Sequence, residues 1–214
     1  MVSLEETTPQ FSSIPETVEA FRRGEFIVVL DSTSRENEGD LIIAAEDVTT
    51  EKMAFMVRWT SGLICAPLSP ALIDKFALPQ MVTNNQEPHS TAFTISLDSR
   101  DPSISTGISS YDRALTVRAL ADPNATAASF RSPGHMFPLR AVAGGVLARR
   151  GHTEAAVDFC RLAGKSEAAA ICEMIKEEDG LMRRRDDCLE FGKTWGLKVC
   201  TIEALVEYLE KTKA

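Results

Sequence analysis

No stretch of this 214-residue chain approaches the ~20 consecutive apolar residues of a membrane-spanning helix, so no such span is expected. The first fifteen residues carry Glu5 and Glu6 and lack a hydrophobic segment, which excludes a secretory leader or an arginine-rich transit peptide there. Basic residues are in the minority. Lys and Arg number 23 against 31 Asp and Glu, for a formal charge of −8, and no basic cluster offers a nucleic-acid surface. Cysteines are few and unpaired in pattern: five (Cys65, Cys160, Cys172, Cys188, Cys200), with no C-x-x-C. An odd number, mostly in apolar surroundings, points away from disulfides and structural zinc and toward a reducing, cytoplasmic setting. Neither G-x-G-x-x-G nor G-x-x-x-x-G-K-[ST] occurs, so dinucleotide and P-loop sites drop away.

What is present alternates between helix and strand. Apolar spacing predicts helices over 15–24, 51–60, 69–76, 110–120, 153–163, 186–196 and 202–211. Short β-rich runs cover 26–30, 41–45, 63–68, 93–97, 168–175 and 197–201, and another strand follows the Pro133-Gly134 punctuation from Met136. No repeat, low-complexity tract or Gly/Ser linker divides them. The first two strands look antiparallel, against a purely parallel sheet. The expectation is one α+β domain, a mixed sheet surrounded by helices, with residues 1–14 loosely ordered.

Between the first two strands lies Asp31-Ser-Thr-Ser-Arg35-Glu36-Asn37-Glu38-Gly39-Asp40, with four carboxylates in ten residues. Like charges so close repel unless something positive holds them, and oxygen ligands suit Mg²⁺ or Mn²⁺ better than zinc. A solvated acidic turn fits the same residues. A calcium EF-hand does not, because Glu36 falls where that loop needs glycine.

Arg149-Arg150-Gly151-His152-Thr153-Glu154 precedes a helix, with Thr153 as its expected N-cap. Two arginines beside free helix amides make a phosphate site, and His152 could join Glu36 at a metal; a capped surface helix with exposed arginines is the plainer reading. His135, between Pro-Gly punctuation and Pro138, lies on an expected constrained loop and is suited to proton transfer or to a structural role. Glu173 interrupts an apolar strand. It is either an acid/base group or an edge residue facing water. Ser105-Thr106-Gly107 offers hydroxyls and a flexible backbone for a substrate contact.

Taken together, Arg35-Glu-Asn-Glu-Gly-Asp40, Ser61-Gly-Leu-Ile-Cys65, Thr106-Gly-Ile-Ser109, Gly134-His-Met-Phe-Pro-Leu-Arg140, Gly151-His-Thr-Glu-Ala155 and Cys172-Glu173 resemble the 3,4-dihydroxy-2-butanone 4-phosphate synthase family of riboflavin biosynthesis. These motifs run in family order over nearly the whole chain. The resemblance implies a lyase that converts D-ribulose 5-phosphate to L-3,4-dihydroxy-2-butanone 4-phosphate and formate. It implies a homodimer with active sites near the interface and Mg²⁺ or Mn²⁺ as cofactor, two ions per site. The chain's length implies the monofunctional form. Carried over by position, Glu36 and His152 would hold metal, and His135 and Glu173 would be catalytic. Arg35, Glu36, Asp40, Arg149, Arg150, Gly151, His152, Thr153 and Glu173 would contact substrate, and Asp31, Glu38, Cys65 and Thr106 would line the pocket. A metal-dependent sugar-phosphate isomerase or aldolase is the enzymatic alternative, and an acidic cation-binding scaffold the non-enzymatic one. Formate as product separates the synthase from the enzymatic alternative, and the scaffold predicts that His135→Ser changes neither metal affinity nor turnover.

Overall fold

The computed structural model describes residues 10–213. Residues 1–9, most of the segment expected to be loosely ordered, lie outside the described residues; beyond them Ser12 pairs its backbone with Val199, and Ser13 caps the first helix. In chain order the elements are α1 (Ile14–Arg22), β1 (Ile27–Leu30), β2 (Gly39–Ala44), α2 (Thr50–Trp59), β3 (Cys65–Leu68), α3 (Pro70–Lys75) and β4 (Leu97–Ser99). They continue as α4 (Ser110–Ala121), β5 (Phe130–Arg140), α5 (His152–Ala163), β6 (Ala169–Glu173), α6 (Arg185–Trp195), β7 (Lys198–Thr201) and α7 (Ile202–Lys213).

The strands form one seven-stranded sheet in the order β4-β5-β3-β6-β2-β1-β7. β1 runs parallel to β7 and β3 to β5, while the remaining neighbours are antiparallel. The expected mixed α+β sheet is therefore what forms. Alternation along the strands explains the two cores. Val28, Leu30, Leu41 and Ile43 face one side, packing with residues of α2, α4 and α6. Ile27, Val29, Ile42 and Ala44 face the other, against α1, α5 and α7. With both faces covered, β1 and β2 are wholly buried, which is why they read as continuous apolar runs.

Two expectations need correction. The run at 93–97 is not a strand; Phe93 and Thr94 make isolated bridges, and β4 begins at Leu97. His135 is not on a loop between elements, because β5 runs through it. The pairing of β5 jumps from Leu97↔Met136 to Asp98↔Arg131, leaving residues 132–135 bulged out of the ladder. Pro and Gly mark a bulge inside a strand as readily as a loop.

α5 carries His152 and Thr153 in its first turn, and Phe159 anchors the helix to the rest of the molecule. This side chain is fully buried, its ring 5.9 Å from that of Phe21. Phe159→Ala is expected to cost ~3–5 kcal/mol in a urea unfolding titration. A loss under ~1 kcal/mol would mean that α5 is held mainly by its polar ends.

Candidate active site

Strand parity gathers the site. Ile42 and Ala44 face α5, so Asp40 does too; Ile171 faces α5, so Glu173, two residues on, does as well. Asp40 and Glu173 are paired across β2 and β6, and Cys65 pairs with Ile171. These side chains meet the first turn of α5 around a cavity of about 180 Å³, lined by Arg35, Glu36, Asp40, Cys65, Arg149, His152, Thr153 and Glu173, with Glu87, Thr91, Phe93, Leu139 and Ile171.

His152 is at the centre. It is 5% exposed, with Nε2 3.1 Å from the Val29 carbonyl, an acceptor that can only receive a proton. Nε2 therefore carries hydrogen, and Nδ1 faces the Glu36 and Asp40 carboxylates, each 3.5 Å away. Burial alone would lower the imidazole, but the Asp40, Glu36 and Asp31 charges outweigh it and raise it to about 9. Asp40 is pushed up to about 8, chiefly by burial, against the pull of His152. For Glu36 burial works upward, yet the contact with His152 and the charge of Arg35 bring it down to about 2. In this state a proton and a guanidinium balance the carboxylates.

The loop between β1 and β2 is built around Asp31. Its buried carboxylate accepts the backbone amides of Glu36 and Glu38, both at 2.9 Å, and Arg35 Nη1 at 3.1 Å. Arg35 also pairs with Glu36. From outside, Arg184 donates to the carbonyls of Glu36 and Asn37 and lies 3.7 Å from Glu38. Asp31 is thus the brace of the loop, and Glu38 faces Arg184; neither lines the cavity.

Asp31, Glu36 and His152 each offer an atom within 4.8 Å of the others. Asp31 already accepts three hydrogen bonds, whereas Asp40 Oδ1 is buried with no hydrogen-bond partner. An orphaned carboxylate oxygen beside Glu36 and a correctly turned imidazole is a donor set that fits a hard divalent cation.

At the same cavity, α5 begins at His152 with Gly151 as its N-cap and no side-chain cap bond. The expected cap at Thr153 is therefore corrected: Thr153 is inside the first turn, and the leading amides stay open to an anion. Arg149 Nη1 pairs at 2.6 Å with Glu154, which is 1% exposed, and Nη2 donates to the His89 carbonyl at 3.0 Å. Gly151 leaves room for this arrangement, since a Cβ there would lie 2.3 Å from Arg149 Nη1. Arg150 is exposed and does not line the cavity.

Glu173 accepts from Ser61 Oγ at 3.1 Å. Cys65 is buried, and desolvation holds its thiol well above the ordinary range, so it is a neutral wall rather than a nucleophile. Thr106 is exposed and His135 is 41% exposed; neither lines the cavity. Sequence reading named Glu154 without giving it a role, and missed Glu87, Thr91, Arg184 and Asp98. The last lies beside His135 and is 2% exposed. A buried acid in an apolar strand run was the one available signal for Asp98.

Acidic oxygens and an imidazole in one cavity with an arginine and open helix amides suit a metal-assisted enzyme for a small phosphorylated substrate. The sequence pattern of the 3,4-dihydroxy-2-butanone 4-phosphate synthase family matches residues 15–208, and the chain belongs to that family. It is 58% identical to the 3,4-dihydroxy-2-butanone 4-phosphate synthase of Pyricularia oryzae, over 95% of this chain and 91% of that one. Against the Schizosaccharomyces pombe enzyme of the same name identity is 54%, covering 93% and 98%. A solved 3,4-dihydroxy-2-butanone 4-phosphate synthase in complex with two magnesium ions superposes with a TM-score of 0.91 at 57% identity, covering 95% and 99%.

Cation binding should release protons. His152 holds a proton below about 9, and that proton must leave before Nδ1 can serve a cation. Affinity for a divalent cation is therefore expected to rise with pH, by up to about tenfold per unit for each proton displaced, and to level off above about 9. Calorimetric titrations in buffers of differing ionisation enthalpy measure the release. Affinity independent of pH between 6 and 8 would contradict the arrangement.

Proposed function

We propose that this chain converts D-ribulose 5-phosphate into L-3,4-dihydroxy-2-butanone 4-phosphate and formate, a step of riboflavin biosynthesis in the cytoplasm. The observation that carries the reading is one small cavity where Arg149 and the open start of α5 meet the carboxylates Glu36, Asp40 and Glu173 and the His152 imidazole. Family membership agrees with it. The atoms balance: the five-carbon substrate loses one carbon as formate, and the water eliminated at C1 offsets the water that enters before C4 leaves.

Arg149, oriented by Glu154, and the amides of His152 and Thr153 anchor the phosphate, which fixes the direction in which the sugar lies. Glu36 and His152 hold Mg²⁺ or Mn²⁺, two ions per site, supplying positive charge where oxyanions develop on adjacent carbons. Asp40 Oδ1, which has no hydrogen bond in the free protein, accepts from substrate hydroxyls. Glu173 keeps one oxygen on Ser61 and has the other free to take and return protons. Arg35 shields Glu36 from the remaining carboxylates.

His135 belongs to this reading through a homodimer. It is half-exposed and outside its own chain's cavity, and Leu63, Ile108 and Tyr111 are exposed apolar side chains near in sequence to the family motifs. A two-fold pairing would bring each His135 to the cavity of the other copy.

Formate should appear from ribulose 5-phosphate with Mg²⁺ and vanish with EDTA. Glu173→Gln is expected to lower its rate by ~10²-fold or more with cation affinity retained; full activity in that variant would remove Glu173 from the chemistry. Mixing inactive His135→Ser and Glu173→Gln chains after dissociation should restore about a quarter of wild-type activity. Half the dimers would then be mixed, each with one intact site. No restoration would place His135 and Glu173 in the same chain's site.

A further inference from the structure

The bulge in β5 is held from below by a buried acid. Asp98 is 2% exposed, and its Oδ1 accepts the backbone amide of His135 at 2.8 Å. Its Oδ2 lies 3.0 Å from His135 Nδ1. A carboxylate has only lone pairs to offer, so Nδ1 must carry the hydrogen in this contact. In the neutral imidazole Nε2 then bears the free lone pair, and it is the ring's outward end.

Neighbouring backbone keeps the ring there. Gly134 passes so close to β4 that a Cβ would lie 2.1 Å from the carbonyl carbon of Leu97, and its amide donates to Ser96 Oγ at 3.1 Å. Gly107, at φ +94°, lies against the pair itself: a Cβ would come within 2.3 Å of Asp98 Oδ2 and 2.5 Å of His135 Nδ1. The segment carrying Gly107 is tied down by Asp112, whose carboxylate accepts the amides of Ser105 and Gly107 and the Ser105 hydroxyl. Arg131 Nη2 stands 4.0 Å from Asp98 Oδ2, the oxygen that also meets the imidazole.

We propose that Asp98 is the positioning residue for His135, fixing the Nδ1–H tautomer and the ring orientation so that Nε2 is presented as a proton acceptor to the substrate. This rests on the reading of His135 as a proton-transfer group of the formate-releasing site. The buried carboxylate acts only through the imidazole, and its two bonds set both the backbone and the ring. Gly107 and Gly134 are required because any side chain there would displace the pair.

The chain has three histidines, so nitrogen-15 NMR of the imidazoles resolves each one. In the wild-type protein at high pH, His135 should show a protonated Nδ1 and a pyridine-type Nε2. A protonated Nε2 would overturn the proposal without any variant or activity assay. In Asp98→Asn the amide can donate to Nδ1, and the His135 signature should invert while His89 and His152 stay unchanged. The same variant should lose ~10²-fold or more in kcat for formate release, with KM changed less than threefold. An inverted tautomer with kcat unchanged would also overturn it. If no formate forms even from the wild-type chain, the functional reading fails, while the tautomer measurement still decides the Asp98–His135 pair.

Discussion

His152 stands buried at the first turn of α5, with the Val29 carbonyl on one ring nitrogen and two carboxylates facing the other. Removing such groups from water is costly unless each finds a partner, and that requirement organises the surrounding chain. Asp31 gathers the loop by accepting two of its amides, Arg35 inserts between Asp31 and Glu36, and Arg184 closes the outside. The arrangement leaves one oxygen of Asp40 unsatisfied. That deficit, at the base of a cavity, marks the place where a ligand completes the structure.

The sheet supplies the rigid frame. Asp40 and Glu173 are opposite one another on neighbouring strands, and the twofold alternation of strands sends both toward α5. Because apolar side chains of the same strands are packed on both faces, a slip by one residue would bury the acids in the opposite core and expose part of this one. Register and chemistry are therefore held by the same packing. The helix contributes its uncapped start, and Glu154 and Asp158 on its inward side accept the amides of Val142 and Val146, holding the segment that leads to Arg149.

Much of the fold was legible because its signals are local. Ser13, Thr49, Ser69 and Ser109 cap the helices near the expected starts, and the wholly apolar runs of β1 and β2 became buried strands. Phe93 misled because its neighbours favour strand while its own partner is a single bridge to Leu139. His135 misled because Pro133 and Gly134 interrupt a ladder without ending the strand. At the site, the motif residues Glu36, Asp40, His152 and Glu173 were all singled out. Their roles came from the family resemblance and not from spacing, since Asp31 and Glu38 have the same chemistry as Glu36 and differ only in what they touch.

By itself the sequence determined the class of the fold, the family, and the set of acidic, basic and imidazole groups available for chemistry, because periodicity, capping and motif order are properties of neighbouring residues. Only the tertiary structure decided which carboxylate braces the loop, which one keeps an oxygen without a hydrogen bond, which nitrogen of His152 faces inward, and that Asp98 lies beneath His135. Those outcomes depend on contacts between segments distant in the chain, where burial sets the cost of every unpaired charge. The loop of Arg35 to Asp40, four acids alike on paper when Asp31 is counted with it, became a brace, an oxygen facing His152, an outward ion pair and an oxygen without a hydrogen bond once β1, β2, β6 and α5 closed around it.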